Sequence, residues 1–337
     1  MSPPQCGPVA QLGARFHGME EVVGSIPTRS TKNPHMITTI RLWIIALLLI
    51  VAVPFAVGNA DSSKPASRGT NSWSVRWQPK RVMNGSPVLL QVTSPRRLES
   101  LSGKWLEHEV FFSFDPPSKT WRGFAGASLE TKPGKYALTL IGKTNSGNEI
   151  SFEQAIPVGK ANYRQISVTV PKQYTEPGPE QLREIDQDKA IKQRVLGQVS
   201  PEREWMGNFL PPVSAPISDV FGTARVFNGN VQSVHQGLDF GVPAGTPVAA
   251  LNAGTVLLAQ MLFFEGNCVV IDHGQGLLTI YMHLSKFDVK EGEHVKRGQQ
   301  IALSGGTGRA TGPHLHVAVR WQGIYLDPAI LLKLSLP

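Results

Sequence analysis

Cysteine is almost missing from this chain of 337 residues, which contains only Cys6 and Cys268. Two cysteines this far apart provide neither a disulfide framework nor a cysteine-based metal site. We expect Cys268 to be a lone buried thiol in a strand. Small disulfide-stabilised folds and cysteine-rich zinc modules are therefore excluded.

Charged residues are also scarce, at 17% of the chain, and no block of Lys and Arg is interleaved with aromatic residues. This lack argues against nucleic acid as a partner. The formal net charge is nevertheless +8 at pH 7, a surplus that suits an anionic surface or polymer. Glycine (33) and proline (26) are abundant. A composition so rich in turn residues favours a mainly β fold over a helical bundle.

Residues 36–60 have the pattern of a secretory signal peptide, with a basic start, an apolar run and small residues at the end. The apolar run from Leu42 to Val57 is interrupted by Pro54 and is shorter than the roughly 20 residues of a bilayer span. We therefore expect cleavage after Ala60, with membrane association only if the segment stays uncleaved. The sequence predicts an exported protein of the periplasm or cell envelope.

The residues before this segment fit no targeting pattern, because a signal peptide begins with its charged region. We therefore expect Met36 to be the native start and residues 1–35 to be an over-extended start that is not native. Residues 61–72 are mostly small and polar, which predicts a flexible lead-in.

Short alternating apolar runs fill residues 73–170, as from Val88 to Val92, and turn signals such as the Asn-Ser-Gly at 145–147 separate them. Short strands at this spacing predict a small β-sandwich. The region has one histidine, His108, and no cluster of convergent polar residues. We expect it to be a scaffold, a binding module or a lid.

Residues 171–215 form a segment with prolines at both ends. Between the prolines, residues 180–198 are rich in Gln, Lys, Arg, Glu and Leu and contain few helix breakers. This composition predicts a single connecting helix that sets the distance between two β regions. Strand signals return in residues 216–337, so we expect a second mainly β domain there.

Histidine is concentrated in this second β region, which holds six of the seven histidines that follow residue 60. Two of them form a His-x-His pair at the start of an apolar run. If that run is a strand, both imidazoles project from the same face. The six are His235, His273, His283, His294, His314 and His316.

His235 and Asp239 are four residues apart, and the intervening Gly237 argues against a helix. An extended segment also places residues i and i+4 on one face, so both side chains can bind one metal ion. With one further ligand they form a two-histidine, one-carboxylate set with an open position, which is typical of a catalytic zinc.

Three histidines compete as the third ligand, namely His283, His314 and His316, and spacing alone does not choose among them. No glutamate accompanies the histidines as it does in a His-Glu-x-x-His motif. Proton transfer would therefore fall to a histidine.

Three other residues of this region have simpler interpretations. His273 is expected to be a turn residue rather than a ligand. Glu265 is interpreted as a charged residue of a hairpin. Arg309 lies in a glycine-rich segment that we expect to form the wall of a cleft, where it would contact an acidic substrate.

With these motifs in order, residues 216–330 resemble the LytM/lysostaphin-type zinc endopeptidases, peptidase family M23. So many motifs in the same order are far more specific than a lone His-x-His pair. They are His235-x-x-x-Asp239, Gly241-x-Pro243-x-Gly245-Thr246-Pro247-Val248, Gly266-Asn267-x-Val269-Val270-Ile271-Asp272-His273-Gly274, Tyr281-x-His283-Leu284, Val295-x-x-Gly298-Gln299 and Thr311-Gly312-Pro313-His314-Leu315-His316.

The resemblance implies one zinc ion per chain, Zn2+, held by His235, Asp239 and His316. It implies that His283 and His314 act on the reacting water as general base and transition-state stabiliser. All five positions are present in this sequence.

The same resemblance implies a compact antiparallel β peptidase domain that hydrolyses stem peptides or cross-links of peptidoglycan. Residues 73–170 resemble, less specifically, the immunoglobulin-like domain that precedes the peptidase in some exported members. No protein partner is indicated. The alternative is a non-catalytic wall-binding or amidase-activating relative, but the intact ligand set argues against it.

Overall fold

The computed structural model describes residues 72–229 and 231–336. The predicted over-extended start, the signal segment and nearly all of the lead-in lie outside these residues. Neither helix of the described part is long and apolar enough to cross a membrane. The fold is mainly β, as the composition predicts.

Eight strands of residues 74–159 form one sheet with the order β1-β3-β6-β5-β4-β7-β8-β2. All neighbouring strands are antiparallel except β8 and β2, which are parallel. The turn predicted at 145–147 joins β7 to β8, and Gly147 has a φ of 82°, which favours glycine. The strands are β1 (Ser74–Gln78), β2 (Val82–Met83), β3 (Pro87–Thr93), β4 (Leu98–Trp105), β5 (His108–Asp115), β6 (Thr120–Gly126), β7 (Gly134–Thr144) and β8 (Glu149–Gly159).

A second sheet of ten strands follows the connecting segment. Its continuous path is β10-β13-β20-β17-β16-β15-β18; β14 pairs with β19, β19 with β17, and β21 with β20. Cys268 is free and buried in β16, as predicted. The strands are β10 (Ile217–Asp219), β13 (Gly237–Phe240), β14 (Pro247–Ala249), β15 (Gly254–Leu262), β16 (Gly266–Asp272), β17 (Leu277–Phe287), β18 (His294–Val295), β19 (Gln300–Ser304), β20 (Leu315–Trp321) and β21 (Ile324–Leu326).

A small third sheet connects the two parts of the chain. Its order is β12-β11-β9, and β9, from the segment after the first sheet, pairs in parallel with β11. A strand from the N-terminal half is therefore built onto the C-terminal half. The bounds are β9 (Gln165–Val168), β11 (Ala224–Phe227) and β12 (Val231–Val234).

The two large sheets share one continuous hydrophobic core. Trp321, at the end of β20 and 1% exposed, has its ring centroid 6.0 Å from that of Phe124 in β6 and 5.1 Å from that of His108. A polar contact, Gln322 Nε2 to the carbonyl oxygen of Glu109 at 2.8 Å, lies at the same boundary. The first sheet is thus packed directly against the second.

The predicted connecting helix is α1 (Pro179–Leu196), which begins with a proline at its first turn and is followed by Gly197. The helix is packed against the second sheet. Val195 and Leu196 are buried against apolar residues of β15, β16 and β17. A second short helix, α2 (Pro328–Leu331), follows β21.

A buried ion pair anchors α1 to the turn between β15 and β16. Lys192 Nζ lies 2.8 Å from Oε1 of Glu265, and both side chains are nearly inaccessible. Burial alone would lower the pKa of Lys192, but the carboxylate of Glu265 outweighs this effect and raises it. Glu265 lies in the turn of the β15–β16 hairpin, where the sequence placed it, and the helix covers it and supplies its counter-charge.

We expect Lys192→Met to lower the free energy of unfolding by about 3–5 kcal/mol, because it leaves the Glu265 carboxylate buried without a partner. Lys189→Met is the matched control, since its pair with Asp186 at 3.2 Å is exposed and worth at most about 1 kcal/mol. Equilibrium urea denaturation measures both, and equal losses in the two variants would contradict the anchoring role.

Candidate metal centre and active site

The candidate ligands lie on neighbouring strands of the second sheet. Asp239 in β13 is directly opposite His316 in the antiparallel strand β20. On the other side of β20, His316 is opposite Met282 in β17, and His283 follows Met282. His235 lies two residues before the start of β13. Strand pairing therefore brings together residues that are up to 81 positions apart.

Three ligand atoms converge at short distances. Nδ1 of His316 lies 2.7 Å from Oδ1 of Asp239, and Nε2 of His235 lies 3.0 Å from the same oxygen. The two histidine nitrogens are themselves 3.0 Å apart. All three residues are at most 5% exposed.

The protonation of His235 makes this cluster a fit for a cation. Nδ1 of His235 lies 2.8 Å from the carbonyl oxygen of Val220, so it donates its proton there. Nε2 is then a lone-pair acceptor, and it faces a carboxylate oxygen and another ring nitrogen. A donor set of two imidazoles and one carboxylate is suited to zinc among the divalent metals. The described residues thus fit a metal ion at this point.

Burial and hydrogen bonding shift the pKa values of His316 and Asp239. Burial lowers the pKa of His316 to about 4, so its ring is neutral. Burial alone would raise the pKa of Asp239, but the bonds to His235 and His316 outweigh this and hold the pKa below its usual range. Nδ1 of His316 faces the cluster, so the proton of this ring is on Nε2. Nε2 is buried and has no hydrogen-bond partner among the described residues.

Gly237 makes room for the ring of His316. A Cβ at this position would lie 2.4 Å from Nε2 of His316 and 2.6 Å from the carbonyl oxygen of Val317. No side chain larger than hydrogen fits there without moving a ligand. The glycine that argues against a helix after His235 therefore has a second, direct role in placing His316.

His283 and His314 flank the cluster, with their ring centroids 4.8 Å apart. His283 has a φ of 61°. The pairing of β16 with β17 shifts register between Tyr281 and Leu284, the stretch that contains His283. Such a bulge re-aims a side chain. His314 reaches the cluster from the other side, with Nε2 4.0 Å from Oδ1 of Asp239.

The two flanking histidines have the same protonation pattern. Nδ1 of His283 lies 2.8 Å from the carbonyl oxygen of Thr307, and Nδ1 of His314 lies 2.9 Å from that of Gly312. Each ring therefore donates through Nδ1, so in the neutral tautomer the lone pair is on Nε2. Burial lowers the pKa of His283 to about 3, which keeps this ring neutral near pH 7.

Two residues that sequence reasoning missed support Asp239 from behind. Arg225 in β11 donates to Oδ2 of Asp239 at 2.5 Å and to Oδ2 of Asp219 at 2.6 Å. Asp219 also accepts from Arg164 at 2.6 Å. The only sequence signal was the presence of these charges close before His235, and no spacing rule connects them to a metal site.

An open cleft of about 360 Å³ lies over the site. Its lining includes Asp239, His283 and His314, together with Ile166 and Val168 of β9. The remaining histidines of the region are elsewhere. His273 is fully buried, with hydrogen bonds to Ala253 and Thr279, and His294 is exposed beside Glu204. The structure thus unites all five predicted site residues and leaves these two outside.

Comparison with known proteins agrees with this geometry. The model of peptidase family M23 matches residues 233–328. A crystal structure of an M23 peptidase from Pseudomonas aeruginosa is 31% identical, with a TM-score of 0.57, and the match covers 75% of this chain and 95% of that one. This chain belongs to peptidase family M23.

Curated relatives share the C-terminal part. The peptidoglycan DD-endopeptidase ShyA of Vibrio cholerae is 47% identical over 147 residues, which are 43% of this chain and 31% of that protein. The DD-carboxypeptidase/endopeptidase Mpg of Neisseria meningitidis is 39% identical over 121 residues, 36% of this chain and 28% of that protein. The chain therefore spans less than a third of the length of either relative.

We expect Gly237→Ala to weaken zinc binding by about tenfold or more, because the added methyl group displaces the ring of His316. Gly241→Ala, four residues later, is the matched control, since its Cβ would meet Ser218 at an ordinary 3.8 Å. Competition with a chromophoric chelator measures both affinities. Unchanged affinity in Gly237→Ala would show that the ring can shift without loss of the ligand.

Proposed function

We propose that this protein is an exported zinc-dependent endopeptidase that hydrolyses peptide bonds in the stem peptides or cross-links of peptidoglycan. The observation that carries the proposal is the convergence of His235, Asp239 and His316 beside two histidines with free Nε2 atoms. ShyA and Mpg, both named as endopeptidases, support the same reaction class.

In this proposal one zinc ion would be held by His235 through Nε2, Asp239 through Oδ1 and His316 through Nδ1. Zinc in such a set supplies Lewis acidity, which lowers the pKa of water and polarises a carbonyl group. Val220 fixes the tautomer of His235, and Arg225 holds the second oxygen of Asp239. These contacts keep the ligands oriented before the ion binds.

His283 and His314 then carry the proton transfers. As water adds to the scissile carbonyl carbon, either ring can accept the proton of that water at Nε2, because the backbone carbonyls of Thr307 and Gly312 hold the Nδ1 protons. The imidazolium that forms can give the proton to the leaving amine, while the other ring lies beside the developing oxyanion. His314 is the more exposed of the two, with a side chain 16% accessible, and faces the open cleft.

The position of the substrate follows from the cleft. The peptide would lie between the catalytic floor and the wall made by β9, so that the scissile carbonyl reaches the cluster. The binding energy from both walls would hold the bond in a reactive geometry. The surplus of positive charge in the chain suits an anionic wall polymer.

The remaining expectations from the sequence belong to the same proposal. Export rests on the signal pattern of residues 36–60, and with it a periplasmic or envelope location. For residues 73–170 we propose an immunoglobulin-like domain. The support is the strand order, since β1-β3-β6-β5 and β4-β7-β8 repeat the A-B-E-D and C-F-G orders of that fold.

We expect His316→Ala to abolish both zinc binding and activity, because it removes a ligand. His314→Ala should keep zinc and lose about 10²–10⁴-fold in kcat/KM, because it removes a proton carrier. His294→Ala is the control, an exposed histidine outside the site. Metal content by atomic absorption and hydrolysis of a cross-linked peptide are measured; loss of zinc in His314→Ala with retention in His316→Ala would reverse the two roles.

Digestion of purified sacculi tests the function itself. The zinc-loaded protein should release fragments whose masses correspond to cleaved stem peptides or cross-links, and a chelator should stop the release. Intact sacculi after incubation with the zinc-loaded protein would refute the proposal.

A further inference from the structure

Arg309 lies in the loop between β19 and β20, at the edge of the metal centre. Its guanidinium carbon is 4.6 Å from the ring centroid of Phe227 and 4.7 Å from that of Phe264. Its backbone N–H donates to the carbonyl oxygen of Phe264 at 2.9 Å, which ties the loop to the turn between β15 and β16. Backbone and side chain are both held in place.

The side chain borders two cavities that meet at the catalytic histidine His283. One is the open cleft over the site, and the other is a smaller cavity of about 40 Å³ that also touches the ligands His235 and His316. Arg309 is therefore next to the place where a bound peptide would react.

The other cations near the site already have partners. Arg164 and Arg225 both bind Asp219, and Arg225 also binds Asp239. The carboxylate of Glu265, in the smaller cavity, is paired with Lys192. Arg309 makes no ion pair and no side-chain hydrogen bond to any residue within 72–229 and 231–336.

A guanidinium in this state has unused binding capacity. Two phenyl rings contact the guanidinium, which stabilises its charge but satisfies none of its five N–H donors. Those donors lie at the edge of the planar group, in the fork that matches a carboxylate. Burial lowers the pKa of Arg309 to about 10, so the group remains charged near pH 7.

We propose that Arg309 binds a free carboxylate of the peptide substrate and so makes the site selective for acidic peptides. This inference rests on the proposed function, because it assigns a substrate contact within that active site. The carboxylate has two sources in a stem peptide, namely the C-terminal carboxylate and the carboxylate of an acidic residue within the chain.

The test compares binding of one cross-linked stem peptide in three forms, with all carboxylates free, with the C-terminal carboxylate amidated, and with the internal carboxylate amidated. Calorimetry measures the dissociation constant on zinc-loaded full-length protein carrying His314→Ala, which slows cleavage. Binding is thus read separately from hydrolysis, so failure of the proposed function and failure of this inference can be told apart.

We expect amidation at one of the two positions to weaken binding about tenfold to hundredfold, and that position identifies the source. In the same protein with Arg309→Gln, the acid and amide forms should bind equally. Arg164→Gln is the matched control, an arginine in the same cleft whose charge Asp219 already neutralises, and it should keep the discrimination. Arg309→Lys should retain part of it, since the charge remains without the fork.

Two results would overturn the inference. One is equal binding of all three peptides by the protein in which Arg309 is unchanged. That result does not depend on whether a variant at position 309 folds. The other is discrimination that persists undiminished in Arg309→Gln.

Discussion

The site depends on one strand pairing, that of β13 with β20, which sets Asp239 directly opposite His316. Side chains alternate between the two faces of a strand, so a slip of one residue would move one ligand to the other face and separate the pair. The same strand β20 pairs with β17, which carries His283. The register of β20 with its two neighbours therefore positions Asp239, His316 and His283. His235 and His314 are positioned by the loops that precede β13 and β20.

Parts of the chain outside the region matched by the family model complete this arrangement. Strand β9 pairs with β11, and β11 carries Arg225, the residue that holds Asp239. Helix α1 covers the turn between β15 and β16 through Lys192. The carbonyl oxygen of Glu265 in that turn accepts from the backbone N–H of His283 at 2.8 Å. Strand β17, which carries His283, is thus in contact through Glu265 with a helix that precedes the region matched by the family model.

Much of the site could be predicted from the sequence because its residues lie in short motifs. His235 and Asp239 share one extended segment, and His314 and His316 share another, so local spacing already placed each pair on one face. Spacing left the third ligand open, since the choice depends on which strands are neighbours. The resemblance to family M23 pointed to His316, and its geometry beside Asp239 supports that choice.

The residues that sequence reasoning missed are those whose roles arise only from packing. Lys192 was one polar residue among many in a predicted helix, and nothing local marked it as buried against Glu265. Arg225 belongs to no motif. Gly237 matters because of the ring of His316, which is 79 positions away in the chain and would lie 2.4 Å from a Cβ added at position 237. Contacts of this kind depend on tertiary approach and leave no periodic signal.

Electrostatics distinguishes the chemistry of the site from its selectivity. The candidate ligand set carries one negative charge, so a divalent cation bound there would leave a net positive charge. Arg164 and Arg225 share Asp219, and Arg225 also contacts Asp239. Arg309 makes no ion pair with a described carboxylate, although the charge of Glu265 favours its protonated form. Ile166 and Val168 of β9 line the same cleft, so we expect relatives with the same five site residues but a different preceding segment to differ in the peptides that they admit.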